Sequence, residues 1–132
     1  MRDDTRDAIA LALVLAGGTV GTLARAALEE GFGAGRGEWP WATFGINVVG
    51  SFLLGLLVAV LVVRGGDERW RLALGTGVLG GFTTYSTFIV EADRLVADGH
   101  VGLATGYALG SVVLGVAAAA LGTALGRVGA GR

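Results

Sequence analysis

The sequence predicts an all-α integral membrane protein: four transmembrane helices, the third broken mid-membrane, in a single domain over residues 1–132. Three observations predict it. The chain is 53% hydrophobic and only 16% charged, and its uncharged apolar runs (8–24, 43–63, 72–90 and 101–126) each approach or exceed the ~20 residues that cross a bilayer as a helix. These runs lack the polar face at helical period that a soluble four-helix bundle would carry. Finally, Gly80-Gly81-Phe82-Thr83-Thr84-Tyr85-Ser86-Thr87-Phe88 puts glycines, hydroxyls and aromatics into the third run. Every backbone N–H and C=O inside lipid needs a partner, so such a stretch belongs where a helix breaks against protein or beside a polar path.

Taken in order, the spans are 8–28, 43–63, 71–97 and 101–126. The first resembles a signal peptide only at Ala24-Arg25-Ala26; its leading segment, Arg2 to Asp7, is not net positive, so it is read as a retained helix. The connection 29–41 is Gly-rich with one X-Pro step, and places Trp39 and Trp41 at the water–lipid boundary, where amphipathic rings sit well. Residues 64–71 form a polar turn, and Asp98-Gly99-His100 a second one. Short connections make neighbouring spans antiparallel. Arg2, Arg6, Arg64, Arg69, Arg71, Arg127 and Arg132 fall with the termini, and Arg25, Arg36 and Arg94 on the other side, which favours cytoplasmic termini.

Small residues recur at spacing four: Gly17/Gly21, Asn47/Ser51/Gly55, Gly77/Gly81, Gly102/Gly106/Gly110 and Gly122/Gly126. Such faces let helix backbones approach closely in lipid. Because every helix carries one, a homo-oligomer is expected.

The chain has no cysteine and one histidine, and its acidic residues gather near the termini and connections, so no enzyme is expected. Polar groups inside the spans are the better lead, since burying them in lipid is costly unless they are paired or used. Asn47 can offer amide donors in place of an anion's water, or bond to a neighbouring helix. Arg25 and Glu91 sit near span ends, where charges commonly snorkel. Tyr107 and Ser111 are spaced i, i+4 and share a face, although Tyr107 also suits an aromatic belt. The break itself can free carbonyls for a hard cation such as sodium. Phe82, Tyr85 and Phe88 follow at a spacing of three, on nearly one side of a helix. Their positive ring edges suit a small anion, or they simply pack a core.

These residues closely resemble the Fluc/CrcB fluoride channel family over nearly the whole chain. The resemblance is carried by Gly17-Gly18-x-x-Gly21 with Arg25, by Thr43-x-x-x-Asn47-x-x-Gly50-Ser51-Phe52, by Gly80 to Phe88 with Glu91, and by Tyr107 with Ser111. It implies an antiparallel dimer, from two identical chains or two related ones, with two fluoride pores along the subunit boundary in the cell membrane. It implies a structural sodium ion at the dimer centre, held by the main-chain carbonyls of Gly80 and Thr83. Asn47, Tyr85 and Phe88 would face the anion, Tyr107 and Ser111 would continue a polar track, Arg25 would draw anions into a vestibule, and Glu91 would lie near the pore end within reach of the Asn47 network. Two positions depart from the family pattern: Tyr85 stands where phenylalanine is usual, and Gly115 where many members carry serine. The competing readings are a small proton-coupled multidrug exporter and a non-transporting membrane scaffold. The exporter needs a carboxylate deep in a span, and residues 11–22 carry none. The scaffold leaves Asn47, Tyr85, Phe88 and Ser111 unexplained.

Overall fold

The computed structural model describes residues 2–130, and the side chains of residues 4–129. Arg132 and the side chain of Arg2, both counted in the charge bias, lie outside them. The regular elements of the described residues are all helical. Helix α1 is Arg2–Gly31 and α2 is Trp41–Arg64. Helix α3 covers 68–82 through three abutting segments, Glu68–Trp70, Arg71–Leu79 and Gly80–Phe82. Helix α4 is Ser86–Ala97 and α5 is Val101–Ala130. Helices α1, α2 and α5 are each long and apolar enough to cross a membrane, which makes the chain a multi-pass membrane protein.

Local chemistry sets the ends. Gly65 closes α2 in the left-handed region at φ 60° and returns its N–H to the Leu61 carbonyl, the conformation glycine adopts without a Cβ penalty. Asp67 then caps α3 by accepting the Arg69 N–H at 3.0 Å. Residues Arg71–Leu79 are wound as a π-helix, a wider turn that is rare and concentrates at functional places. The Gly80 N–H reaches back five residues to the Gly75 carbonyl.

That widened segment is where α1 docks, backbone to backbone. A Cβ on Gly17 would strike the Ala73 carbonyl, and one on Gly21 the Val78 carbonyl. Helices α2 and α5 make the other close seam, with Gly55 against the Ala119 carbonyl and Gly122 against that of Phe52. The small-residue spacing thus serves packing inside one subunit. Gly106 and Gly110 lie under the Trp39 ring.

Trp39 departs from the expected interfacial site. Its ring packs edge-on against Phe44 and Tyr107, with centroids 5.4 and 5.6 Å away, and joins the cluster of Leu95, Ala104 and Tyr107. The glycines of α5 leave an apolar recess that this large ring fills. Of the two tryptophans in this connection, Trp41 is the exposed one, at 68%.

Candidate functional site

Between α3 and α4 the backbone leaves the helix. Phe82 ends one segment, Thr83 is extended at φ −76° and ψ 154°, and Ser86 begins the next. Four side-chain interactions account for this geometry. Asn47 holds the Thr84 backbone reciprocally: its Nδ2 donates to the Thr84 carbonyl at 2.8 Å, and its Oδ1 accepts the Thr84 N–H at 2.9 Å. Thr84, one residue ahead of the Tyr85 cap position, in turn accepts the Thr87 N–H on its hydroxyl at 3.2 Å, satisfying a donor that the start of α4 leaves open. Thr83 folds its own hydroxyl back to the Leu79 carbonyl at 3.0 Å.

Two of these bonds have a further consequence. In an unbroken helix the Thr84 N–H would serve the Gly80 carbonyl, and the Thr87 N–H the Thr83 carbonyl. Asn47 and Thr84 intercept those donors. The Gly80 and Thr83 carbonyls are thereby released, and both residues line a cleft of about 370 Å³.

Asn47, Ser51, Thr84, Tyr85, Phe88 and Ser111 line the same cleft. Its lining is otherwise apolar, with Leu54, Leu79 and Val112. The Ser111 hydroxyl oxygen is buried and meets no hydrogen-bond partner. Leaving such a group unpaired costs about 1–3 kcal/mol. Asn47, with one amide N–H spent on Thr84, keeps a second. Tyr85 is 77% exposed, with its ring 6.2 Å from Phe88.

The aromatics do not share one side, contrary to the expectation from their spacing. Phe82 lines a separate apolar groove with Leu28, Phe32 and Val49, while Tyr85 and Phe88 face the cleft. The reason is the extended Thr83 between them, which resets the helical phase.

Tyr107 and Ser111, one turn apart on α5, also part company. Tyr107 is fully buried and donates its hydroxyl to Glu91 Oε2 at 2.8 Å. Thr43, equally buried, donates to Glu91 Oε1 at 2.9 Å. Glu91 therefore joins Thr43 and Tyr107, whereas Asn47 joins Thr84. The Phe88 ring lies between the two sets, its centroid 5.2 Å from that of Tyr107. Arg25 sits elsewhere again: its Nε donates to the Gly81 carbonyl at 3.2 Å, and its Nη1 lies 3.3 Å from the Glu29 carboxylate. The sequence pointed to Thr84 only as part of the break that unwinds the helix, and left Thr43 with no role of its own. The signals were present, in Thr43 lying one helical turn before Asn47 and in the Thr84-x-x-Thr87 spacing.

Among the described residues no group of three or more His, Cys, Asp or Glu side chains gathers to hold a metal.

Comparison with known proteins shows the family. The CrcB-like protein family (Camphor Resistance) matches residues 12–123. The fluoride-specific ion channel FluC of Novosphingobium aromaticivorans is 47% identical over 121 residues, covering 89% of this chain and 96% of that protein. FluC 1 of Mycobacterium bovis is 46% identical over 118 residues, 89% of each chain. FluC of Agrobacterium fabrum is 44% identical over 121 residues, 90% of this chain and 97% of its own. With the match spanning all but the two ends, the chain belongs to the CrcB family.

Proposed function

We propose that this chain is a fluoride-selective channel that lets cytoplasmic fluoride leave passively across the plasma membrane. The observation that carries it is the Ser111 hydroxyl, buried and unpartnered in the cleft that Asn47 also lines. A donor left empty at such cost is what a dehydrated small anion would fill, because hydrogen bonds to a charged acceptor are about twice as strong as neutral ones. Fluoride enters acidified surroundings' cells as HF and dissociates in the cytoplasm. Asn47, Ser111 and the edges of Tyr85 and Phe88 would then replace its water, the kind of close-range coordination that sets selectivity in channels. The likeness to proteins named fluoride-specific ion channels supports the same reading.

The rest of the architecture belongs to this proposal. Residues 86–97 rise about 18 Å as an α-helix, and 68–82, whose wider π-wound turns rise less per residue, span at most about 22 Å, so the break would fall near the middle of a hydrocarbon core about 30 Å thick. The cleft is open to its surroundings, with Tyr85 exposed beside it, and a second subunit in antiparallel orientation would close it. The released Gly80 and Thr83 carbonyls fit a sodium ion, since unwound helices in membranes present such oxygens to that cation. When bound at the centre of the dimer, it would supply the positive charge that keeps carbonyls of both breaks together. Asn47 and Thr84 meanwhile hold the released carbonyls in place. Either a second copy or a related subunit could complete this arrangement.

The test is fluoride efflux from liposomes holding the purified chain, alone and with a related subunit from the same genome. The expected result is rapid fluoride release with chloride retained. No release under either condition would overturn the proposal.

A further inference from the structure

We infer that Arg25 is a positioning residue that clamps the break, and not the charge that draws anions toward it; this rests on the channel reading above. The Gly81 carbonyl lies on the last turn of α3, just before the extended Thr83. It accepts the Arg25 Nε–H at 3.2 Å and shares the Thr22 hydroxyl at 3.4 Å, both from α1. Such an end carries partial negative charge, which a cation stabilises. On the far side of Thr83, α2 holds Thr84 through Asn47. The break is thus gripped at both ends, by α1 at Gly81 and by α2 at Thr84, with the Thr83 carbonyl released between the grips and the Gly80 carbonyl just ahead of the first.

Close packing leaves this grip little slack. A Cβ on Gly81 would meet the Gly18 carbonyl of α1 within van der Waals distance, so α1 and the last turn of α3 sit backbone to backbone where Arg25 bonds. The charge of Arg25 is also spoken for. Its Nη1 lies 3.3 and 3.5 Å from the two oxygens of Glu29 one turn on, and both side chains are about three-quarters covered, at 22% and 24% exposure. A paired cation presents a dipole to a distant anion, not a full charge. Moreover, Arg25 does not line the cleft. What the guanidinium supplies here is a fork of fixed donors, which a lysine ammonium cannot reproduce.

That last point gives the test. Wild type, Arg25→Lys, Arg25→Gln and Glu29→Gln are compared in liposome efflux at about 10 mM and about 1 M salt, where charges are screened beyond about 30 Å and 3 Å respectively. A clamp predicts that Lys and Gln lose flux alike, by about tenfold or more, at both salt concentrations. Glu29→Gln keeps an oxygen that can accept from Arg25 and conducts as wild type does. An anion-drawing charge predicts the opposite pattern, and seeing it would overturn the inference: Lys conducts normally, Gln is slowed only in low salt, and Glu29→Gln is faster than wild type there. The second readout is independent of transport. The chain has two tyrosines, so 3-fluorotyrosine labelling gives two fluorine resonances. The clamp predicts that the Tyr85 signal shifts or broadens in both Arg25 variants while that of Tyr107 holds; an unmoved Tyr85 signal would overturn it. If neither Arg25 variant folds, Thr22→Val removes the weaker donor to Gly81, and its fluorine spectrum decides in the same way. A wild type that passes no fluoride, either alone or with a related subunit, would sink the channel reading, with the spectra still judging the clamp.

Discussion

Two polar clusters sit within one apolar bundle, barely a helical turn apart, and they are built on opposite terms. At Glu91 both carboxylate oxygens are satisfied: Thr43 and Tyr107 are fully buried, and each gives its hydroxyl to one of them, although the Trp39 indole N–H packed beside Tyr107 finds no partner. Around Asn47 the cleft-lining groups are not satisfied. Ser111 is left unpartnered, and the Gly80 and Thr83 carbonyls have lost their helical donors to Asn47 and Thr84. The difference teaches how to tell architecture from function among buried polar groups. A saturated cluster is explained by the fold that it holds, whereas an unsaturated one that lines a cleft asks for an explanation beyond the fold, and the proposed channel function supplies one.

The largest effect should come from Asn47, which belongs to both sides of this contrast. Asn47→Ala removes a donor facing the cleft and both bonds that hold Thr84 out of the helix. Adding these losses, fluoride efflux should fall by more than about 100-fold. The open Thr84 N–H is then free to bond with the Gly80 carbonyl and extend α3 across the break. Near-normal efflux in this variant would mean that the break is held by other forces and that the contrast is misdrawn.

Ser111 and Tyr107 separate the two clusters directly. Ser111→Ala should slow efflux by about 10–100-fold, the worth of one hydrogen bond to an anion of about 1.5–3 kcal/mol. Its melting temperature in detergent should hold or rise, because an unpaired buried hydroxyl has been removed. Tyr107→Phe should do the reverse, destabilising the fold by about 1–3 kcal/mol because Glu91 Oε2 loses its buried donor, with a smaller change in efflux. The two variants exchanging these signatures would show that the conducting path runs through Glu91 and not through the Asn47 cleft.

How much of this was legible beforehand differs by level. Length and hydropathy fix α1, α2 and α5, because lipid demands long uncharged helices and little else. The place of the interruption was equally plain, since glycines and hydroxyls at 80–87 have no use in a lipid-facing helix. Which atoms the interruption releases was not. That depends on Asn47 reaching across 37 residues of sequence to Thr84, a pairing that no local period encodes. The same limit explains Trp39 and Phe82. Their types are right for an interface and for an aromatic stripe, but a recess over Gly106 and Gly110 claims one, and the phase shift at Thr83 claims the other.

The smallest effect concerns a third polar site, at the water's edge, which sharpens the comparison by being neither buried nor empty. The Arg36 guanidinium meets Asp98 at 2.6 and 3.3 Å, tying the 32–40 connection to the turn after α4. Gly37, at φ 69°, lies against His100 where no side chain would fit. The hydrogen bond from Arg36 holds the Asp98 carboxyl below its ordinary range, which is about 3.9 for aspartate. The sign follows from the depressed folded-state value. The stabilisation is present above the unfolded pKa and is lost as pH falls through the lower folded one. Melting curves of wild type and Asp98→Asn should therefore differ slightly at neutral pH and converge in acid below about pH 4, and also in about 1 M salt. Efflux should be unaffected, because the pair bonds neither to the cleft nor to the Glu91 carboxylate, although it shares a recess with the latter. Slower efflux in Asp98→Asn, at neutral pH and unchanged melting temperature, would place the 32–40 connection on the ion's route. The boundary between architecture and function would then have to be redrawn to include it.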